Sequence, residues 1–131
     1  MNELMSPFEL AELIINVTGQ MDSLFNYWMS ASFAVLISSY IAKEHFNYLI
    51  TLTISVLYFL ASVMFLSRYY AMTTLLLHYM EMAGDSLPPH FISASPIIGI
   101  TRAPTFVIGV IISEVYLWHS YMKSPRRNSK D

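Results

Sequence analysis

The stretch Pro104–Met122, PTFVIGVIISEVYLWHSYM, carries one acidic residue, Glu114, and neither Lys nor Arg. At about 1.5 Å per residue, a helix of this length matches the ~30 Å hydrocarbon core of a bilayer. An ionised carboxylate near a bilayer centre costs roughly 2.5 kcal/mol or more. Such a residue faces protein or water, has partners, and is a functional candidate by default. Much of the remaining sequence reads as the surroundings of this one side chain.

Two further runs have the same character. Ser23–Ala42 and His45–Ser67 contain no Asp, Glu, Lys or Arg, and Ala103–Met122 contains only Glu114. The whole chain of 131 residues is 55% hydrophobic and 12% charged, where a soluble domain would carry about a quarter charged residues. These patterns predict an all-α membrane protein with three transmembrane helices. The expected organisation is an amphipathic interfacial segment over 1–20, a three-helix domain over 21–122 and a basic polar tail over 123–131. The spans fall at about 23–42, 46–67 continuing to 83, and 103–122. With no cysteine, disulfides, zinc-thiolate sites and Fe–S clusters are excluded. The N-terminal MNELMSPFELAEL lacks Lys and Arg, so it has no basic n-region of a cleavable signal peptide. The first helix is expected to be the retained membrane-entry signal.

Basic residues flanking the spans set orientation. Lys43 lies between the first two spans, and Lys123, Arg126, Arg127 and Lys130 follow the third. Glu3, Glu9, Glu12 and Asp22 precede the first, while Glu81 and Asp85 lie in the second connection. This predicts an N-terminus outside and a C-terminus in the cytoplasm, in a bacterial-type inner membrane. Asp22, Arg68 and Arg102 then fall at the outer boundary, where the two arginines have Asp22, Glu81 and Asp85 as candidate partners.

Ser6-Pro7-Phe8-Glu9 has the form of a capping box with proline at the first helical position. The residues after it place Phe8, Leu10, Leu13 and Ile14 mostly to one side, and Glu9 and Glu12 away from it. Two readings fit: a short amphipathic helix ended by Gly19, or one continuous helix running into the membrane. The second helical pattern runs past Ser67 to Gly84, about 55 Å in all. Its extension carries Ser67, Ala71, Thr74, His78, Glu81 and Asp85 on one stripe. It either projects from the membrane as an amphipathic rod or bends at Arg68 to lie on the surface. Pro88-Pro89 is expected to end this helix, the apolar connection beyond it to dip into the interface, and Pro104 to mark the first turn of the third helix.

Each span carries a small or polar stripe: Asn26, Ser30, Ala34 and Ser38; Asn47, Thr51, Ser55 and Ser62; and Arg102, Thr105, Gly109, Ser113 and Ser120. Small residues let helices approach closely in lipid, and hydroxyls hydrogen-bond across the contact. At the depth of Glu114 the antiparallel second helix offers Thr51, Ser55 and Tyr58, with Ser113 beside it on its own helix. These are its candidate hydrogen-bond partners. Trp28 and Tyr27 fit one interfacial aromatic belt, and Tyr116, Trp118 and Tyr121 the other. His45 and His119 lie at similar depth at the inner edge. A paired-histidine haem site there lacks a small-residue cradle, and no histidine spacing resembles a metal motif. No cofactor and no metal are therefore expected.

No nucleophile–base set, phosphate loop or soluble catalytic domain is present, so an enzyme is not expected. Three helices enclose little by themselves. The expected partners are the lipid bilayer and further copies of the chain or other membrane subunits, not nucleic acid. Two functions follow: an accessory or scaffold subunit acting through helix packing, and a homo-oligomeric channel or proton/cation pathway using Glu114.

Overall fold

The computed structural model describes residues 5–86 and 95–124. They form helices α1 (Pro7–Ile41), α2 (Tyr48–Ala83) and α3 (Ser95–Met122), with a 3₁₀ turn at Gly84–Ser86. No strand occurs among the described residues. All three helices are long and apolar enough to cross a membrane, so the chain is an all-α membrane protein. α1 and α2 form a long antiparallel pair, and α3 packs against both. The Pro88-Pro89 breaker, His90, the apolar connection through Ala94 and the tail from Pro125, with Arg126, Arg127 and Lys130, lie outside the described residues.

The start of α1 is set locally. The Ser6 hydroxyl accepts from the Glu9 backbone N–H at 3.3 Å, and Glu9 Oε2 accepts from the Ser6 N–H at 2.8 Å, with Pro7 at the first position. From there α1 runs unbroken through Gly19. A separate amphipathic helix over 1–20 ended by Gly19 therefore does not form; residues 7–20 are the first turns of one continuous helix. Gly19 is exposed, and its cost of about 1 kcal/mol relative to alanine is outweighed by packing on either side. α2 is likewise unbroken at Arg68, and ends where Gly84 takes φ 49°, a left-handed conformation that glycine adopts without a Cβ clash.

α3 departs from expectation. It begins at Ser95, well before Ala103, and Pro104 lies inside it. Pro96 supplies an alternative first turn. Pro104 is exposed, and α3 continues through it despite the i→i−4 hydrogen bond its ring removes.

The buried residues of α2 step by four and three: Thr51, Tyr58, Ser62, Tyr69, Leu76 and Ala83 are buried, with Ser55, Phe65, Met72 and Tyr79 half-buried between them. This seven-residue repeat keeps one seam facing a partner helix, as in left-handed helix pairs. α1 answers with Leu10, Ile14, Val17, Met21, Trp28, Ser32 and Ser39. Towards the free ends of α1 and α2 the seam is apolar: Leu10, Ile14, Val17, Met21, Leu76 and Ala83 join one core cluster. Towards the α1–α2 turn it is rich in hydroxyls: Ser32, Ser39, Thr51, Ser62, Ser113, Ser120 and Ser124 are buried there.

These two regions are called the stalk and the span. Between them Asp22 forms an ion pair with Arg102. The Ser32–Tyr58 hydrogen bond, 2.7 Å, fixes the register of α1 on α2. Ten residues further along each helix, Asp22 and Arg68 stand at one level. From that level to the turn, each helix covers about 30 Å at 1.5 Å per residue, the thickness of the hydrocarbon core. At the far end the turn is closed by Asn47, whose side chain accepts from Ile50 N–H at 2.8 Å, and by Ser124, whose hydroxyl donates to the Phe46 carbonyl at 3.4 Å.

Candidate functional site

Glu114 sits on the edge of α3 that meets α2. Its Oε2 accepts a hydrogen bond from the Ser55 hydroxyl at 2.5 Å. Its Oε1 is buried and has no partner. The carboxyl is therefore covered by its own chain but only half satisfied. In hydrocarbon no water replaces a missing partner, which makes such a group expensive. The remaining hydroxyls proposed for it are placed differently. Tyr58 hydrogen-bonds Ser32 across the α1–α2 seam, and Thr51, fully buried, donates back to the Asn47 carbonyl at 3.0 Å. Ser113 is buried within the helix interface rather than on the Glu114 edge.

One level closer to the stalk lies an aromatic knot. The Trp28 and Phe106 ring centroids are 4.4 Å apart, Phe25 and Phe106 5.4 Å, and Tyr69 and Phe106 5.5 Å. Gly109 makes the knot possible: a Cβ there would lie 2.9 Å from Trp28 Cζ2. Trp28 is 3% exposed, so it is a core residue and not part of an interfacial belt; its neighbour Tyr27 is exposed. Burial also orphans polar atoms here. Trp28 Nε1, Ser62 Oγ and the Tyr69 hydroxyl have no hydrogen-bond partner.

The predicted stripes fare unequally. On α2, Thr51, Ser55 and Ser62 do line the interface, while Asn47 is instead the cap of the helix. On α3, Ser113 and Ser120 are buried and Gly109 is half-buried, but Thr105 is exposed. On α1, Asn26, Ser30, Ala34 and Ser38 are all exposed, and the face packed within this chain is instead Trp28, Ser32 and Ser39. Ser30 donates to the Asn26 carbonyl at 2.9 Å, and such a backbone bond satisfies a hydroxyl without any neighbouring helix. Small size alone therefore did not identify the contact face.

Of the boundary charges, Arg102 pairs with Asp22 and lies over the Phe25 ring at 5.4 Å, while Arg68 is exposed. His45 lies in the exposed α1–α2 turn and His119 on an exposed edge of α3 beside Ile111, Ile112, Val115 and Tyr116. No group of three metal-ligating side chains occurs among the described residues. At the turn end, Tyr48, Trp118 and Tyr121 form an aromatic cluster with centroids 6.0–6.4 Å apart. Sequence reasoning missed the Trp28–Gly109 contact; the available signal was the pairing of the one span-interior glycine of the third helix with a tryptophan on the first. Comparison with known proteins gives no match: no family model, no curated protein and no solved structure aligns significantly with this chain.

Proposed function

We propose that this chain is an accessory or scaffold subunit of a bacterial-type inner-membrane assembly, holding a partner through its stalk rather than catalysing a reaction. The carrying observation is an apolar flank on the stalk. Phe8 and Ile15 of α1 are 78% and 58% exposed, and Tyr70 and Leu77 of α2 are 74% and 61% exposed. Ile15, Tyr70 and Leu77 each follow a buried seam residue, Ile14, Tyr69 and Leu76, by one position. In antiparallel helices the same offset points to the same side, so the four residues line one face. Beyond the Asp22–Arg102 level that face projects past the hydrocarbon, where lipid tails do not cover it. Exposed apolar surface of this kind marks a protein or membrane contact, and on a face beyond the hydrocarbon we assign it to a protein. Lys43 and Lys123 at the turn end, with Arg126, Arg127 and Lys130 in the tail, support a cytoplasmic turn end and an outer stalk.

The test is the mass and composition of the full chain purified in nanodiscs, compared with a variant carrying Phe8→Ser, Ile15→Ser, Tyr70→Ser and Leu77→Ser. The expected result is a stoichiometric membrane complex that the variant loses while keeping its helix content. A complex that survives all four changes sinks the proposal. A second reading, a homo-oligomeric proton or cation pathway, is favoured by the half-satisfied Glu114 carboxyl. It requires a homo-oligomer whose ion flux in vesicles disappears with Glu114→Gln; a wild-type oligomer without flux removes it.

A further inference from the structure

The exposed face of α3 near the turn carries a second feature that the partner reading does not use. Ile111, Ile112, Val115, Tyr116 and His119, all on α3, line a shallow open groove between side-chain rows of that one helix. Ile111, Ile112 and Val115 are each more than half exposed. Ile112, Tyr116, His119 and Lys123 follow at helical spacing, so the groove leads to an imidazole and then to an exposed ammonium. Glu114 does not oppose that charge, because it is turned towards Ser55 on α2. The negative end of the helix dipole repels an anion at a C-terminus, so any anion held here is drawn by these side chains.

We propose that this face binds one anionic phospholipid, with an acyl chain in the Ile111–Tyr116 groove and the phosphate at His119 and Lys123. A second helix is a poor occupant. Close helix packing in lipid uses small residues, whereas the groove walls are β-branched side chains and a tyrosine ring. An acyl chain conforms to such a wall and needs no hydrogen bond from it. His119 lies three residues from the end of α3, about 4.5 Å along the axis, which sets the imidazole at the headgroup edge.

The experiment is native mass spectrometry of the full chain titrated with dioleoyl phosphatidylglycerol or dioleoyl phosphatidylcholine. Wild type is expected to retain one phosphatidylglycerol in preference to phosphatidylcholine. Lys123→Gln is expected to reduce that preference about fivefold, the factor corresponding to roughly 1 kcal/mol per basic residue at an anionic surface. Ile112→Trp, which fills the groove, is expected to weaken retention of both lipids while leaving helix content unchanged. Equal retention of the two lipids by wild type overturns the proposal, as does a preference that Lys123→Gln leaves intact. Finding a dimer without bound lipid, dissociated by Ile112→Trp, assigns the groove to a second copy instead and equally overturns it.

Discussion

The stalk fills its seam mainly with aliphatic side chains, whereas the span mixes buried hydroxyls with Trp28, Tyr58, Phe106 and Leu117; both regions also expose apolar residues. In the stalk, Leu10, Ile14, Val17 and Met21 are buried and Glu9, Glu12, Asn16 and Asp22 are exposed. In the span, Ser32, Ser39, Thr51 and Ser113 are buried, while Phe33, Ile37, Val56, Leu57 and Ile112 are exposed. The helix geometry is continuous through both regions; on the proposed topology the stalk lies in water and the span in lipid. In water, burying apolar surface drives association. In lipid that drive is absent, and close approach with hydrogen bonding replaces it. The composition of the seam changes near Asp22, Arg68 and Arg102, the charges that the proposed topology sets at the outer boundary.

The strongest way to break this comparison is a matched pair on one helix. Leu57 and Leu77 are 62% and 61% exposed, one in the span and one in the stalk. Leu57→Lys is expected to cost about 3 kcal/mol in membrane insertion, and Leu77→Lys to stay within about 0.5 kcal/mol. An insertion assay that finds the two equal would falsify the boundary. A smaller loss is expected from Leu76→Ala in the apolar stalk seam, about 2 kcal/mol, the low end for leucine truncation because a thin helical stalk relaxes readily. Hydrogen exchange of the α1 amides before Asp22 reads that loss. The corresponding span change, Ser39→Ala, is expected to leave exchange near its unaltered rate, since the Ser39 hydroxyl bonds only the Val35 carbonyl.

Gly109→Val tests close approach in the span. It presses on Trp28 and is expected to cost about 1–2 kcal/mol through overpacking, seen as a lower unfolding temperature in detergent. A rescue by Trp28→Leu would tie the loss to this contact, and failure of that rescue would place it elsewhere. Ser55→Ala removes the one hydrogen bond to Glu114 and is expected to cost about 1 kcal/mol; pairing it with Glu114→Gln in a double-mutant cycle isolates the interaction. The smallest effect has the opposite sign. Tyr69→Phe deletes a buried hydroxyl without a partner and is expected to be neutral or to stabilise by up to about 1 kcal/mol. A clear destabilisation would show that the hydroxyl has a partner in the assembled protein.

Much of the architecture was legible because it depends on one-dimensional patterns. Charge-free runs give span lengths, Ser6-Pro7-Phe8-Glu9 gives a helix start, and Gly84 gives an end. The exposed stripe from Ser67 to Asp85 was legible too, since in the stalk polar residues face water. The seam of α1 in the span was not. Asn26, Ser30, Ala34 and Ser38 have the same small-residue spacing as a contact face, yet the contact is made by Trp28, Ser32 and Ser39. Backbone-bonded serines are tolerated on a lipid face, so composition does not distinguish the two sides. Pro104 misled because the helix already starts at Ser95 and runs through the proline, so the residue that suits a first turn lies in an interior one.

The residue pattern alone gave three membrane-length apolar runs, a second helical pattern longer than a bilayer requires, and a Glu114 that needs a partner inside the span. Each follows from local chemistry: hydrocarbon thickness, helical rise and the cost of an unsatisfied carboxyl. Only the tertiary structure decided which hydroxyl meets Glu114, that Trp28 closes on Gly109, and that α1 buries Ser32 instead of Ser30. Those choices depend on how three helices rotate and slide against one another. That rotation and sliding is set by shape complementarity at a few contacts, which no single helix carries in its own sequence.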